Sequence, residues 1–246
     1  MDGERARSLK DVRLRAVLFD MGGTLVETRG DVGDPWREPV LEAINREFGA
    51  PAWADTLYEA DIRRPPAGEP HRQETNRWLA DWMREKGESF TDEQVERLRR
   101  AFARPIPTVF SLAAGAAAAL RWCKARELSV VVVTNTISRG DEEARSDFER
   151  FGVTDLIDHV VSSYSTGWEK PHRAIFERAL GYAGAVAAEA CNIGDRLDLD
   201  VAGPKALGMR AVWVSTDVVP SGFATPPDAT ISLLEQLPAV LEPWQR

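Results

Sequence analysis

Four aliphatic runs, each ending in a polar residue, most restrict what this chain can fold into. They are Ala16–Phe19 before Asp20, Ser129–Val133 before Thr134, Ala190–Ile193 before Gly194-Asp195, and Ala211–Val214 before Ser215-Thr216. His159–Val161, ahead of Ser162-Ser163, is a shorter fifth candidate. Apolar strands without polar alternation mark a sheet buried on both faces. Helical patterns lie between the runs. Ala113–Ala125 is alanine-rich, Asp141–Phe151 is charged and amphipathic, and His172–Tyr182 sets Ile175, Phe176, Ala179 and Leu180 at helical spacing. Val201–Leu207 meets a stop at Gly208. Strands alternating with helices predict an α/β fold, a parallel sheet with helices on both faces.

Residues 28–106 break the alternation. Trp36–Phe48 reads as a helix ending at Gly49, and Glu74–Lys86 as one ending at Gly87. Thr91 followed by Gln94 is a capping box that starts a third. The Pro-rich stretch Arg64–Pro70 is a loop. A helical block inserted after the first strand would lie over the strand ends as a lid. The expected division is a core of residues 14–27 and 107–246, a helical cap of residues 28–106, and a charged tail of residues 1–13.

The chain has 246 residues, 43% of them hydrophobic, enough for a sizeable core. A formal net charge of −8 argues against non-specific nucleic-acid binding. It also means that an anionic substrate needs a local cation. Cys123 and Cys191 fit neither a disulfide framework nor a zinc site and read as buried thiols. The charged start lacks a signal-peptide pattern and no run is long enough to span a bilayer, so the expectation is a cytoplasmic protein with no membrane partner. Oligomeric state is not legible.

Ligands in such folds gather beyond the carboxyl ends of the strands, where four groups converge. Asp20 heads the turn Met21-Gly22-Gly23-Thr24. A carboxylate there can be a nucleophile or metal ligand, or simply a helix cap. Thr134-Asn135 offers a hydroxyl and adjacent backbone N–H groups that can hold a phosphoryl oxygen, or an ordinary cap. Lys170-Pro171 supplies a positive charge that can reach over the strand ends, or a solvated surface lysine. Asp195 and Asp200, in Gly194–Asp200, would join Asp20 in a hard oxygen site suited to Mg2+. Helix-start acids are the plainer alternative. Clustered like charges are costly without a cation, which favours the metal.

In this order, Asp20-Met21-Gly22-Gly23-Thr24, Thr134, Lys170-Pro171 and Gly194-Asp195 with Asp200 resemble the four motifs of the haloacid dehalogenase superfamily, mostly phosphohydrolases. The resemblance covers nearly the whole chain. It implies a Rossmann-like parallel sheet core with an inserted α-helical cap, and hydrolysis of a small phosphorylated metabolite through an aspartyl phosphate. Asp20 would be the nucleophile, with Thr134 and Lys170 neutralising the phosphoryl oxygens beside Gly23 and Asn135. Mg2+ would be held by Asp20, the Gly22 carbonyl and Asp195, with Asp200 supporting the set.

Two positions depart from the family pattern, and the first bears on catalysis. A second Asp, two residues after the nucleophile, protonates the leaving group; here that position is Gly22. Such a group typically contributes about 10²–10⁴-fold. Phosphonatases and dehalogenases of the superfamily also lack it. A phosphonatase needs a cap lysine, and the only one is Lys86, on a charged face. A dehalogenase needs no metal, which the Asp195/Asp200 pair argues against. A degenerate member that binds phosphate or a partner without turnover is the reading that Gly22 feeds. A response-regulator receiver has its acidic pair before the phosphorylated Asp, so chain order argues against it. His172 stands where the family often has Asp, with little effect expected. Arg63, Arg64, His71, Arg72 and Arg77 could grip a second anionic group, though a solvated surface is the favoured reading. Trp36, Trp53, Trp78 and Trp82 are expected in the cap's own core.

Overall fold

The computed structural model describes residues 12–28, 31–63 and 74–245. A six-stranded sheet has the order β5-β4-β1-β6-β7-β8. Its strands are β1 (Ala16–Phe19), β4 (Ser129–Thr134), β5 (His159–Ser162), β6 (Ala190–Gly194), β7 (Arg210–Val214) and β8 (Ala229–Ile231). Every pairing is parallel. β1 lies between β4 and β6, with Phe19 opposite Val132 on one side and Ile193 on the other. That register brings Asp20, Thr134 and Asp195 to one edge. It is also where the strand order reverses, the crevice in which open α/β sheets bind ligands.

The apolar runs are unbroken because both faces are covered. Val17, Phe19, Val130 and Val132 pack on one face against Leu120 and Leu237. Ala16, Leu18, Val131 and Val133 pack on the other against Ile175, Phe176 and Ala179. The residues of β1 are fully buried.

In chain order the helices are α1 (Arg37–Phe48), α2 (Ala54–Ile62), α3 (Thr75–Glu85), α4 (Asp92–Phe102), α5 (Ala116–Lys124), α6 (Asp141–Ser146), α7 (Ser163–Thr166), α8 (Arg173–Ala183), α9 (Ala202–Ala206) and α10 (Leu237–Leu241). Several are shorter than the sequence suggests. α5 starts only at Ala116, because Gly115 takes a left-handed φ of 77° against Glu235. The expected helix over Asp141–Phe151 ends at Ser146 and resumes as a 3₁₀ turn at Glu149–Phe151. There Asp147 accepts from the Ile106 backbone N–H and pairs with Arg139, which ties the chain locally. A π turn over Leu197–Val201 precedes α9.

Sequence reasoning missed α2, α7 and a two-stranded antiparallel ribbon, β2 (Val26–Thr28) with β3 (Phe110–Leu112), and assigned no helix or strand to the segments that form β8 and α10. The ribbon strands are three residues each, too short for periodicity to register.

Helices α1 to α4 enclose an apolar cluster of their own, including Ile44, Leu57, Leu79, Met83 and Leu98. The capping box at Thr91 forms, with Thr91 Oγ1 accepting from Gln94 N at 3.3 Å and Gln94 Oε1 accepting from Thr91 N at 2.9 Å. Trp53, Trp78 and Trp82 belong to this cluster, whereas Trp36 packs against the main core and against Phe110. The block is fastened to the loop after β4. Arg99 donates to the Ser138 carbonyl and bonds Glu143 at 3.2 Å, and Thr75 Oγ1 donates to the Ile137 carbonyl.

Candidate active site

Asp20 leaves β1 at the carboxyl edge and is almost fully buried. The two glycines that follow Met21 differ in what they permit. Gly23 has a φ of 83°, and a Cβ there would lie 2.6 Å from Asp195 Oδ2. Only glycine brings the turn that close to the acidic group. Gly22 has an ordinary φ, and no atom lies within 4 Å of where a Cβ would stand. A side chain would fit at Gly22, so its glycine is not a backbone requirement. Thr24 is buried behind the turn, its Oγ1 3.5 Å from Asp195 Oδ1.

Lys170 lies beneath this turn and is no surface lysine. It is 2% exposed, with Nζ 2.5 Å from Asp20 Oδ1 and 2.8 Å from Asp200 Oδ1. Asn135 holds it by both backbone groups: Oδ1 accepts from Lys170 N at 2.8 Å and Nδ2 donates to Lys170 O at 3.3 Å. The Asn135 side chain, expected at the phosphate, is thus committed to placing the lysine. Thr134 closes β4, buried on the same edge. His172 caps α8, its Nδ1 accepting from Ala174 N at 3.3 Å, as an Asp would.

Asp195 and Asp200 come from the segment after β6. Gly194 must be glycine, since a Cβ there would meet Asp200 at 2.3 Å. Asp200 Oδ2 accepts from Arg196 N at 3.1 Å, and Asn192 Nδ2 donates to Asp200 O at 2.9 Å. Trp213 Nε1 donates to Asp195 O at 2.7 Å. Thr24 stands in the first motif, whereas Asn192 and Trp213 were missed because each acts through another residue, which leaves no motif of its own.

The electrostatics follow from three carboxylates facing one ammonium. Burial raises the Asp20 pKa, Lys170 opposes that, and Asp195 adds to it. Burial likewise raises Asp200, again against Lys170 and with Asp20. Asp195 is raised by burial and then by Asp200. Burial works against the Lys170 charge, but Asp20 and Asp200 outweigh it and leave its pKa raised. Burial first, and neighbouring carboxylates after it, raise the three acids, while two carboxylates hold the proton on Lys170. A further cation would relieve the surplus negative charge. Donor oxygens of Asp20, Asp195 and Asp200 all lie within 4.8 Å of one another. Asp20 Oδ2 is buried with no hydrogen-bond partner. Hard oxygens around an orphaned carboxylate oxygen fit a divalent cation such as Mg2+.

A cavity of about 410 Å3 opens between the strand ends and the helical block. Its floor is Met21, Gly22 and Thr134 to Arg139; its walls include Trp36, Val40, Tyr58, Ile62, Phe102 and Ile106. Tyr58 donates to Asp34 Oδ2 at 2.8 Å.

Of the basic residues considered for substrate binding, Arg63 and Arg77 have side chains 78% and 73% exposed, which favours the solvated reading. Arg64, His71 and Arg72, like residues 1–11 of the charged tail, lie outside the described residues. Lys86 is exposed, near the Trp82 ring. Both cysteines are buried free thiols, and burial pushes the Cys123 thiol up to about 12.

The family model of the haloacid dehalogenase-like hydrolases matches residues 14–208. The chain belongs to that family. Among the relatives of this hydrolase is haloacid dehalogenase-like hydrolase domain-containing protein 3 of Bos taurus, 28% identical over 215 residues and covering 83% of both chains. Glyceraldehyde 3-phosphate phosphatase of Pyrococcus furiosus is 26% identical across 94% of each. Phosphoserine phosphatase of Thermus thermophilus is 27% identical over 82% of this chain and 76% of that protein. The solved 2-haloacid dehalogenase from Pseudomonas syringae pv. Tomato DC3000 superposes with a TM-score of 0.65 at 23% identity, covering 94% of this hydrolase and 99% of that chain. A HAD phosphatase from Thermococcus onnurineus gives 0.56 at 22%, covering 93% and 98%. Those likenesses speak for the fold, the α/β sheet expected from the sequence. Among the described residues, no helix is long and apolar enough to cross a membrane.

Proposed function

We propose that this hydrolase is a Mg2+-dependent phosphohydrolase of small phosphorylated metabolites, working through an aspartyl phosphate on Asp20. The observation that carries the reading is the Asp20–Lys170–Asp200 contact, with Asp195 alongside and Asp20 Oδ2 unpartnered. It is supported by phosphatases among the relatives. Asp20 forms a bond to phosphorus while the P–O bond to the leaving group breaks, and the leaving oxygen departs with the electron pair. Lys170 holds Asp20 Oδ1 and favours the ionised carboxylate against the effect of burial. Thr134 donates to a phosphoryl oxygen. Water then attacks phosphorus, releasing phosphate and restoring Asp20. Bound by Asp20, the Gly22 carbonyl, Asp195 and Asp200, Mg2+ would supply the charge that lets two anions approach. The block of residues 28–106 acts as a cap over the cavity, and the core is residues 14–27 with 107–246.

Asp20→Asn should abolish turnover of a phosphate-ester panel while leaving the circular dichroism spectrum unchanged. EDTA should do the same to the wild type, reversibly with Mg2+. Full activity in the variant would sink the nucleophile assignment, and metal-free turnover of a haloacid would favour carbon–halogen hydrolysis.

A further inference from the structure

We propose that the cavity beside Gly22 receives an apolar, ring-bearing leaving group, so that the substrates are phosphate esters of acidic, ring-bearing alcohols, with aryl phosphates as the type. The proposal rests on the phosphohydrolase reading above and names its substrate class. Two independent features meet at Gly22. The first is the chamber. Its volume of about 410 Å3 falls within the roughly 300–1,000 Å3 of small-molecule sites. Trp36, Val40, Ile62, Phe102 and Ile106 line it, with the Tyr58 ring. Arg139 is the one cation among the described lining residues. Its guanidinium lies 2.5 Å from Asp147 Oδ2 and donates to Glu143 O at 2.6 Å, so its charge is already paired, with the buried Nε left without a hydrogen-bond partner. Asp61, also in the wall, would repel a second anionic group. A sugar phosphate would find polar groups along the floor of residues 134–139, at Asp61 and at the Tyr58 hydroxyl; its hydroxyls set against the apolar wall would lose hydration without repayment.

The second feature is Gly22 itself. It lies on the chamber floor and puts no proton donor where the ester oxygen departs. An aryloxide leaves as an anion without that proton; an alkoxide does not. The wall selects for a ring, and the floor selects for a leaving group that a ring makes acidic.

The test compares kcat/KM for 1-naphthyl phosphate, phenyl phosphate, acetyl phosphate and glyceraldehyde 3-phosphate, all with Mg2+. Naphthyl phosphate should exceed glyceraldehyde 3-phosphate by at least about tenfold, the scale of burying one large apolar group. Val40→Phe should fill the chamber and lower the ratio of the naphthyl to the acetyl phosphate value about tenfold. If that variant fails to fold, Ile62→Glu at a position 58% exposed should penalise the naphthyl ester in the same direction. Calorimetry with naphthylphosphonate against methylphosphonate separates the two readings. Tighter naphthylphosphonate binding without turnover of any ester would support the chamber and overturn the phosphohydrolase reading. Turnover that favours glyceraldehyde 3-phosphate, or that ignores both variants, would overturn the chamber inference and leave the phosphohydrolase standing.

Discussion

Gly22→Asp should convert a leaving-group-limited enzyme into one that hydrolyses alkyl phosphates. The sequence alone leaves open that a glycine here holds a strained angle, but Gly22 has an ordinary φ and open space around its would-be Cβ. The new side chain therefore enters without a clash. Replacing glycine at a compatible angle is worth about 0.4–1 kcal/mol through the unfolded chain. Against that stands a fourth carboxylate near Asp20, Asp195 and Asp200, which costs about 4 kcal/mol for each like pair at ~4 Å and an effective dielectric of ~20. The variant should thus be less stable without metal and recover with Mg2+. On the kinetic side, a positioned acid contributes about 10²–10⁴-fold. Because each factor of ten is ~1.36 kcal/mol, that is about 2.7–5.4 kcal/mol of barrier. The assay is log kcat/KM against leaving-group pKa for a series of monoesters, in both forms. The wild type should give a steep slope and the variant a shallow one, with the gain concentrated in the alkyl esters. A flat wild-type slope would refute the reasoning, because it would mean that another group already delivers the proton.

Three further outcomes follow from the same geometry. Lys170→Met leaves Asp20 and Asp200 buried without their cation. It should cost about 3–5 kcal/mol in chemical denaturation, partly restored by Mg2+; an unchanged midpoint would mean that the pair is not formed in solution. Gly23→Ala forces a Cβ to 2.6 Å from Asp195 Oδ2, whereas Gly22→Ala meets nothing, so a Mg2+ titration should show weakened binding in the first and not in the second. Arg99→Ala removes the tie from α4 to Ser138 and Glu143 and should cost about 1.5–3 kcal/mol. Arg99 is also the chief reason that the Glu96 pKa falls from 4.5 to about 2. A depressed carboxylate stabilises above its unfolded value and loses that contribution as pH drops toward the folded one. Wild-type thermal stability should therefore decline between pH 4.5 and about 2, and the variant should lose less over that window in parallel melts.

The sheet was legible because it is buried on both faces, so β1, β4, β6 and β7 appear as unbroken aliphatic runs. Short elements were not. β2 and β3 carry Glu27, Thr28 and Ser111 among their residues, and their pairing depends on contact across the whole insertion. At the candidate site, Asp20, Thr134 and Asp195 could be picked out because each ends or follows a strand, and Lys170 and Asp200 because they complete the order of the motifs. Their mutual geometry could not. That Lys170 would bond two aspartates from beneath the turn, and that Asn135 would be occupied in holding it, are facts of register and depth. Trp36 shows the same limit: its sequence neighbours are helical, yet Phe110, just beyond the insertion, draws it to the main core.

The β2–β3 ribbon makes the helical block a branch off the core. Thr28 is paired with Phe110, so the chain departs and returns at neighbouring points however much lies between. Polymer closure between fixed ends depends only weakly on contour length, about 0.6 kcal/mol per doubling. The strand order and the edge that carries Asp20 are then insensitive to how many helices the branch contains. Selection can lengthen, trim or exchange the walls around a substrate without re-threading the sheet that performs the chemistry.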